Sequence, residues 1–302
     1  MKDFVLTVGN FDGVHLGHCK LLEKLHQIAG AYSCEPLIVT YQSHPKHTLK
    51  TKIEPYLLTT TSQKLELLRK CGFNHIELLN FTKDFANMSP YQFLKEELVD
   101  KFHPKAIVLG YDTKFGKDRK GDYDFIQKHE QEFNYKTYQV DPLALDDQII
   151  SSSLIRGLIK SGQLFRASQY LGRRFSFWGK VVEGKRLGRT LGYPTININA
   201  LNASQLTPPD GVYLSQTLTQ TGLYYSITNI GSNPTVCNSL DQKIESYILD
   251  FNQELYGQEV ETSFLKKLRD EMKYSSIEEL KQAIASDVLT SRRMINEITK
   301  IL

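Results

Sequence analysis

His15 and His18 stand three residues apart in Val8-Gly9-Asn10-Phe11-Asp12-Gly13-Val14-His15-Leu16-Gly17-His18. That spacing puts both imidazoles on one face of a helix start. The stretch follows an apolar run, Phe4 to Val8, that reads as a buried strand. It precedes Lys20 to Ala31, where Leu21, Leu22, Leu25, Ile28 and Ala29 recur at helical spacing. A strand, a glycine-rich loop and a helix start make a phosphate-binding arrangement, because the first N–H groups of a helix are unpaired and its dipole adds positive charge. Gly9, Gly13 and Gly17 are expected to allow positive φ and close approach of an anion to the backbone. Three readings of the histidines compete. A metal half-site lacks a following Glu and an evident third ligand. Ordinary surface or core histidines are the default for any such pair. Imidazoles aimed at a phosphate chain, where charge develops in the transition state, fit the glycine setting.

Other stretches carry chemistry of their own. Gly110 to Asp122 places glycines and cations after the apolar run Ala106 to Gly110, as a polyphosphate loop or a solvated one. Ser151, Ser152 and Ser153 precede a helical run, Leu154 to Ser161. Their hydroxyls could simply cap it, a contribution of about 1 kcal/mol, leaving Arg156 an exposed helix residue. The alternative gives Arg156 a phosphate, which suits a guanidinium fork better than a lysine. Gly184 to Asn197 is glycine-rich and basic before a Pro-Thr-x-Asn turn, read blandly a flexible cationic hairpin, and without a Gly-Lys-Ser/Thr ending it excludes an ordinary P-loop. Strand alternation sets Glu245 with Tyr247, Leu249 and Phe251, and Asp250 on the opposite face. Glu245 is then either an exposed-face residue or a base with an altered pKa.

The elements that must position these residues fall into two patterns. After the first strand and helix come Glu35 to Tyr41 as a strand and Ser62 to Cys71 as a helix through Leu65, Leu67 and Leu68, closed by Gly72. A strand at Ile76 to Phe81, a helix from Ser89-Pro90 and strands at Ala106 to Gly110 and Thr137 to Val140 follow. Alternating strands and helices predict a parallel, doubly wound sheet with ligands beyond the strands' carboxyl ends. Near residue 173 the helical period stops. Phe175 to Val182, Gly211 to Ser215, Leu223 to Ile227, Ile244 to Phe251 and Val260 to Phe264 predict a small antiparallel β-barrel. A last helix, Ile277 to Leu302, carries Leu280, Ile284, Val288 and Ile295, with Ser275 or Ser276 as its cap.

Composition sets outer limits. The 302 residues suffice for one large domain or two modest ones. The 37 Lys+Arg against 34 Asp+Glu leave a net charge of +3, too small by itself to argue for a membrane partner and near enough to neutral to argue against nucleic acid. No apolar run approaches membrane-spanning length, and Met1-Lys2-Asp3 leaves no room for a signal peptide. Cys19, Cys34, Cys71 and Cys237 are scattered, as expected for reduced, mostly buried thiols of a cytoplasmic protein. A homo-oligomer is left open.

The residues Gly9 to His18 resemble the His-x-Gly-His signature of the nucleotidylyltransferases. They do so in the longer form of one family, the bacterial bifunctional riboflavin kinase/FMN adenylyltransferase, or FAD synthetase. Gly110 to Asp122, Ser151 to Arg156, Gly192 to Asn197, Asn229 to Thr235 and Glu245 to Asp250 are similar to that family's later motifs, in order. Thr113, Ile196 and Tyr247 stand where the family has Phe, Ala and His. The resemblance implies a Rossmann-like nucleotidylyltransferase domain over residues 1–172 and a riboflavin kinase barrel over 173–302. ATP and Mg²⁺ would be used, with riboflavin and FMN as acceptors and FAD as product. It implies that Gly9, Asn10, Phe11, Asp12, Gly13, His15, His18, Asp112, Lys117, Ser152, Ser153 and Arg156 hold ATP in the first domain. In the second, Gly184, Gly188, Arg189 and Gly192 hold ATP, Thr195 and Asn197 hold Mg²⁺, Asn233, Tyr256 and Arg269 hold flavin, and Glu245 is the base. The rival expectation is a flavin-binding regulatory paralogue that has lost one activity.

Overall fold

The computed structural model describes residues 3–42, 56–184, 187–232 and 242–301. The chain divides into two compact units, residues 1–53 with 61–154, and 54–60 with 155–302.

The first unit is built on five parallel strands, β1 (Phe4–Val8), β2 (Glu35–Tyr41), β3 (His75–Leu79), β4 (Ala106–Gly110) and β5 (Lys136–Val140), in the order β3-β2-β1-β4-β5. Its central strands are apolar on both faces because both faces are covered. Val5, Ile38, Ala106 and Val108 pack with Leu21, Leu22, Leu25 and Ile28 of α1 (Leu16–Ala31). Leu6, Val8, Leu37, Val39, Ile107 and Leu109 pack with Phe93, Leu94, Leu98 and Val99 on the other face. The order reverses at β1, so the crevice between β1 and β4 opens beside the loop that follows β1. The helix expected at Ser62 to Cys71 is α2 (Thr61–Lys70), but its inward face is rotated: Gln63, Lys64 and Leu68 are buried, while Leu65 and Leu67 are half-buried. A small hairpin, β6 (Ala144–Leu145) with β7 (Gln148–Ile149), was not expected from the sequence. The division between the units falls within α3 (Ser152–Lys160).

The second unit is a closed antiparallel barrel of β8 (Ser176–Val182), β9 (Thr195–Ala200), β10 (Gly211–Thr219), β11 (Gly222–Ser232), β12 (Gln242–Ile248) and β13 (Glu259–Arg269), in the order β10-β11-β12-β9-β8-β13. Helix α4 (Leu164–Leu171) packs on β13, and α5 (Ile277–Ile301) packs on β11. Val288 and Ile295 of α5 rest on Val212, Ile227 and Leu249 outside the barrel, and Ser276 caps the helix through the Glu279 N–H. The barrel interior mixes Phe177, Tyr213 and Phe264 with hydroxyls bonded strand to strand, Ser215 to Ser226 at 2.8 Å and Thr228 to Ser246 at 2.6 Å.

Several expectations are corrected. Pro194 immediately precedes β9, and Thr195-Ile196-Asn197 are its first residues rather than a turn. Strand β12 stops at Ile248, and Asp250 lies in a turn at φ 55°, paired with Arg292, so the alternation that opposed it to Glu245 does not reach it. Of the described cysteines, Cys71 is exposed and Cys19 and Cys34 are half-buried. Cys237 lies outside the described residues.

Candidate active sites

In the first unit the loop after β1 makes three non-extended backbone choices in succession. Phe11, Gly13 and Val14 take φ of 51°, 86° and 37°. For a β-branched residue such as Val14 this is strained, and it persists because the surroundings hold it, with Val14 N–H bonded to the Phe11 carbonyl and both side chains buried. Only Gly13 among the three expected glycines uses its conformational freedom. Gly9 and Gly17 leave room instead: a Cβ on Gly9 would crowd the Phe11 ring at 3.1 Å, and one on Gly17 the His15 ring at 3.2 Å.

His15 is the N-cap of α1 and His18 is its third helical residue. His15 Nδ1 accepts the His18 N–H at 3.3 Å, and His18 Nδ1 accepts the His15 N–H at 3.4 Å. This is a capping box made of two imidazoles rather than Ser and Glu. The rings stack 3.6 Å apart at 15°, and Phe11 meets His18 edge-on at 5.2 Å. Because both Nδ1 atoms accept, each neutral ring carries its proton on Nε2. The pair therefore carries two ring N–H donors on Nε2 at a helix N-terminus. Among the described residues no group of three His, Cys, Asp or Glu is placed to hold a metal ion.

The serines divide their work. Ser151 Oγ caps α3 through the Leu154 N–H at 3.2 Å, while Ser152 donates to the Asp12 carbonyl at 2.9 Å and so ties α3 to the loop. Ser153 is exposed. Arg156 is buried rather than exposed, with Nε on the Tyr56 carbonyl at 2.8 Å and its guanidinium 3.7 Å from the Tyr56 ring centre. After β4, Asp112 and Lys117 are exposed on a loop whose Thr113 folds back on Gly110. Gly121 admits no Cβ against the Phe115 ring.

On the barrel, register brings together residues far apart in the chain. Asn229 of β11 stands opposite Glu245 of β12, and Glu245 opposite Asn197 of β9. Thr195, two residues before Asn197, is opposite Tyr247. Directly opposed residues share a face, so Asn229, Glu245, Asn197, Thr195 and Tyr247 line one outer surface. Ile196 lies on the inner face opposite Ser246, so its bulk is directed away from Thr195 and Asn197. Asn229 was not singled out as a site residue, since register is not visible in sequence. Glu245 is neither fully exposed nor buried, with 26% of its side chain accessible and an ion pair to Lys243. Tyr193 meets Tyr247 edge-on at 5.5 Å. Partial burial, with Asp250 nearby, pushes the Tyr247 phenol pKa upward.

Glycines build the cradle beside this surface. A Cβ on Gly184 would strike the Asn197 amide, and one on Gly188 would meet the Tyr193 carbonyl and Thr195 Oγ1. Gly192 takes φ 85° in the turn that returns the Tyr193 N–H to the Gly188 carbonyl at 2.8 Å. Arg189 is exposed there. Tyr256 is exposed beside Gly257, whereas Arg269 is engaged by Asp287 of α5 at 3.0 and 2.8 Å. Asp287 was another residue the sequence did not mark. Asn233 lies outside the described residues.

A doubly wound sheet with a His-x-Gly-His helix start, followed by a barrel with a Pro-Thr-x-Asn strand, defines a nucleotidyltransferase joined to a kinase. The FAD synthetase family model matches residues 1–154 and the riboflavin kinase model residues 171–295. The chain is 34% identical to the bifunctional riboflavin kinase/FMN adenylyltransferase of Haemophilus influenzae, over 98% of this chain and 96% of that one. The enzyme of the same description from Bacillus subtilis is 32% identical, over 98% and 94%. A crystal structure described as a macrolide-efflux protein from Streptococcus pneumoniae superposes with a TM-score of 0.85 at 29% identity, covering 96% of this chain and 94% of that one. Among the described residues here, no helix is long and apolar enough to cross a membrane. The chain belongs to the bifunctional riboflavin kinase/FMN adenylyltransferase family. It is a bifunctional enzyme that phosphorylates riboflavin to FMN and adenylylates FMN to FAD.

Proposed function

We propose that the Gly9–His18 loop carries adenylyl transfer and that the outer barrel face around Glu245 carries phosphoryl transfer. In the first reaction an FMN phosphate oxygen attacks the α-phosphorus of ATP and pyrophosphate leaves. No proton need move, so catalysis rests on position and charge. The observation that carries this reading is the reciprocal His15–His18 cap, which occupies both Nδ1 atoms as acceptors and so leaves the ring protons on Nε2 at a helix N-terminus. Gly9, Asn10, Phe11, Asp12 and Gly13 line the phosphate path, with Ser153, Asp112, Lys117 and Arg156 contributing to nucleotide binding. Ser152 acts through the loop, since its proton is given to the Asp12 carbonyl.

In the second reaction Glu245 takes the proton of the riboflavin 5′-hydroxyl as that oxygen attacks the γ-phosphorus, and ADP leaves. The Thr195 hydroxyl and Asn197 amide oxygen suit a hard cation, and the Gly184 and Gly188 cradle keeps both clear of neighbouring Cβ atoms. They would hold Mg²⁺, which when bound offsets charge on the transferring phosphoryl group. Gly184, Gly188, Arg189 and Gly192 shape the ATP cradle, and Asn233, Tyr256 and Arg269 serve the flavin. The kinase domain is taken as residues 173–302 and the adenylyltransferase domain as 1–172. Replacing Asn197 by Ala should raise the Mg²⁺ requirement of FMN formation at least tenfold and leave FAD formation from supplied FMN unchanged. An unaltered Mg²⁺ dependence would overturn the metal assignment.

A further inference from the structure

Lys64 of α2 is 5% exposed and has no part in the roles assigned above. Its ammonium has three N–H bonds to give, and three oxygens receive them: the Tyr41 carbonyl at 2.7 Å, Thr40 Oγ1 at 3.0 Å and the Asn10 carbonyl at 3.2 Å. Thr40 Oγ1 in turn donates to the same Asn10 carbonyl at 3.2 Å. Lys64 therefore joins the end of β2 to the first residues of the loop that carries His15 and His18. In a trans peptide the N–H points opposite the preceding C=O. Fixing the Asn10 carbonyl toward Lys64 thus aims the Phe11 N–H away from it, at the residue where the chain enters the left-handed region.

We propose that Lys64 is a positioning residue for adenylyl transfer, whose buried ammonium holds the Asn10 carbonyl and so sets the loop that receives the ATP phosphates. This rests on the Gly9–His18 loop being the nucleotide site. A neutral helix residue could fill the same volume, so the charge needs its own reason. A buried cation behind the loop lowers the cost of placing a polyphosphate in front of it, and the anion in turn keeps the amine protonated. Burial draws the Lys64 pKa down to about 8, opposed by the Asp12 carboxylate. Asp12 from the loop is the titratable group that acts on it among the described residues, since β2 offers it only the Thr40 hydroxyl and the Tyr41 carbonyl. The sign follows: the active, charged form is complete below that pKa and is lost as pH rises through it.

The test is FAD formation from FMN and ATP by the full-length chain between pH 7 and 9.5, with ATP varied. For the wild type, kcat/KM for ATP should fall tenfold per pH unit above the midpoint near 8, while kcat at saturating ATP holds to a higher pH. Lys64→Met should lose at least tenfold in kcat/KM, and the remaining activity should lack that alkaline limb. Thr40→Val, which removes one acceptor and keeps the amine, should give a smaller loss with the limb retained. His18→Ala is run beside them. If His18→Ala keeps full FAD formation, the loop is not the site and the Lys64 proposal falls with it. If His18→Ala is impaired but Lys64→Met is folded with wild-type kcat/KM, or retains the limb, Lys64 alone is overturned. Should Lys64→Met fail to fold, a wild-type kcat/KM that is flat across this range overturns the proposal by itself.

Discussion

His15 and His18 each accept the other's backbone N–H through Nδ1 while their rings stack 3.6 Å apart. The proposed mechanism makes cap and catalytic donor the same side chains, and substitution can separate the two roles. Asn is among the best N-cap residues, and losing a cap costs about 1 kcal/mol. His15→Asn should therefore keep the melting temperature near wild type and still lose FAD formation. His15→Ala should lose both. His18→Ala should lower FAD formation by about 10²–10³, the range for one transition-state donor, with riboflavin phosphorylation intact. Calorimetry and flavin chromatography read the two effects independently.

Gly17→Ala tests the packing behind that pair. Ala in a helix is favoured over Gly by about 1 kcal/mol, which offsets part of any crowding. The added Cβ would lie 3.2 Å from the His15 ring and 3.3 Å from the Ile150 carbonyl. We expect little change in stability and a clear drop in kcat for FAD formation, measured at saturating ATP and FMN.

Much of the sheet was legible because β1, β2 and β4 are continuous apolar runs, and continuity is what burial on both faces demands. The glycines were legible as a loop but not by mechanism. Gly9 and Gly17 make room for aromatic rings, and the unusual backbone angles fall on Phe11 and Val14, whose side chains give no hint of them. Lys64 was hidden because a lysine in an amphipathic helix ordinarily marks the solvent face. Strand β9 was hidden by Pro194 and Asn197, both common in turns. Asn229 could not be joined to Glu245 and Asn197 without the register of three strands, which sequence spacing does not encode.

Arg269 and Asp287 join the end of β13 to α5, with only 9% of the Asp287 side chain accessible. Hydrogen bonds to charged groups contribute about 1.5–3 kcal/mol. Asp287→Ala should lower barrel stability by an amount in that range and raise the KM for riboflavin, because Arg269 loses its orientation. Denaturant unfolding and steady-state kinetics of FMN formation check both.

The start of the kinase domain can be tested by length. Leu164, Ala167, Tyr170 and Leu171 of α4 are buried, and each fully buried apolar side chain contributes about 1.5–3 kcal/mol. Fragments beginning at Ile155 and at Arg173 should both make FMN and no FAD, with the shorter one melting at lower temperature. A folded fragment from Arg173 that makes no FMN would place part of the kinase site before residue 173.

Glu245 tests most directly whether one chain runs its two chemistries on separate residues. Glu245→Gln preserves size and hydrogen bonding but removes the proton acceptor, and general-base catalysis contributes about 10²–10⁴-fold. The measurement is flavin chromatography of this variant, first with riboflavin and ATP, then with FMN and ATP. FMN formation should fall by at least a hundredfold, about the lower end of that range, while FAD formation from FMN stays at the wild-type rate. A variant that keeps more than about a tenth of the kinase activity, or that loses both activities together while still folded, would contradict the account.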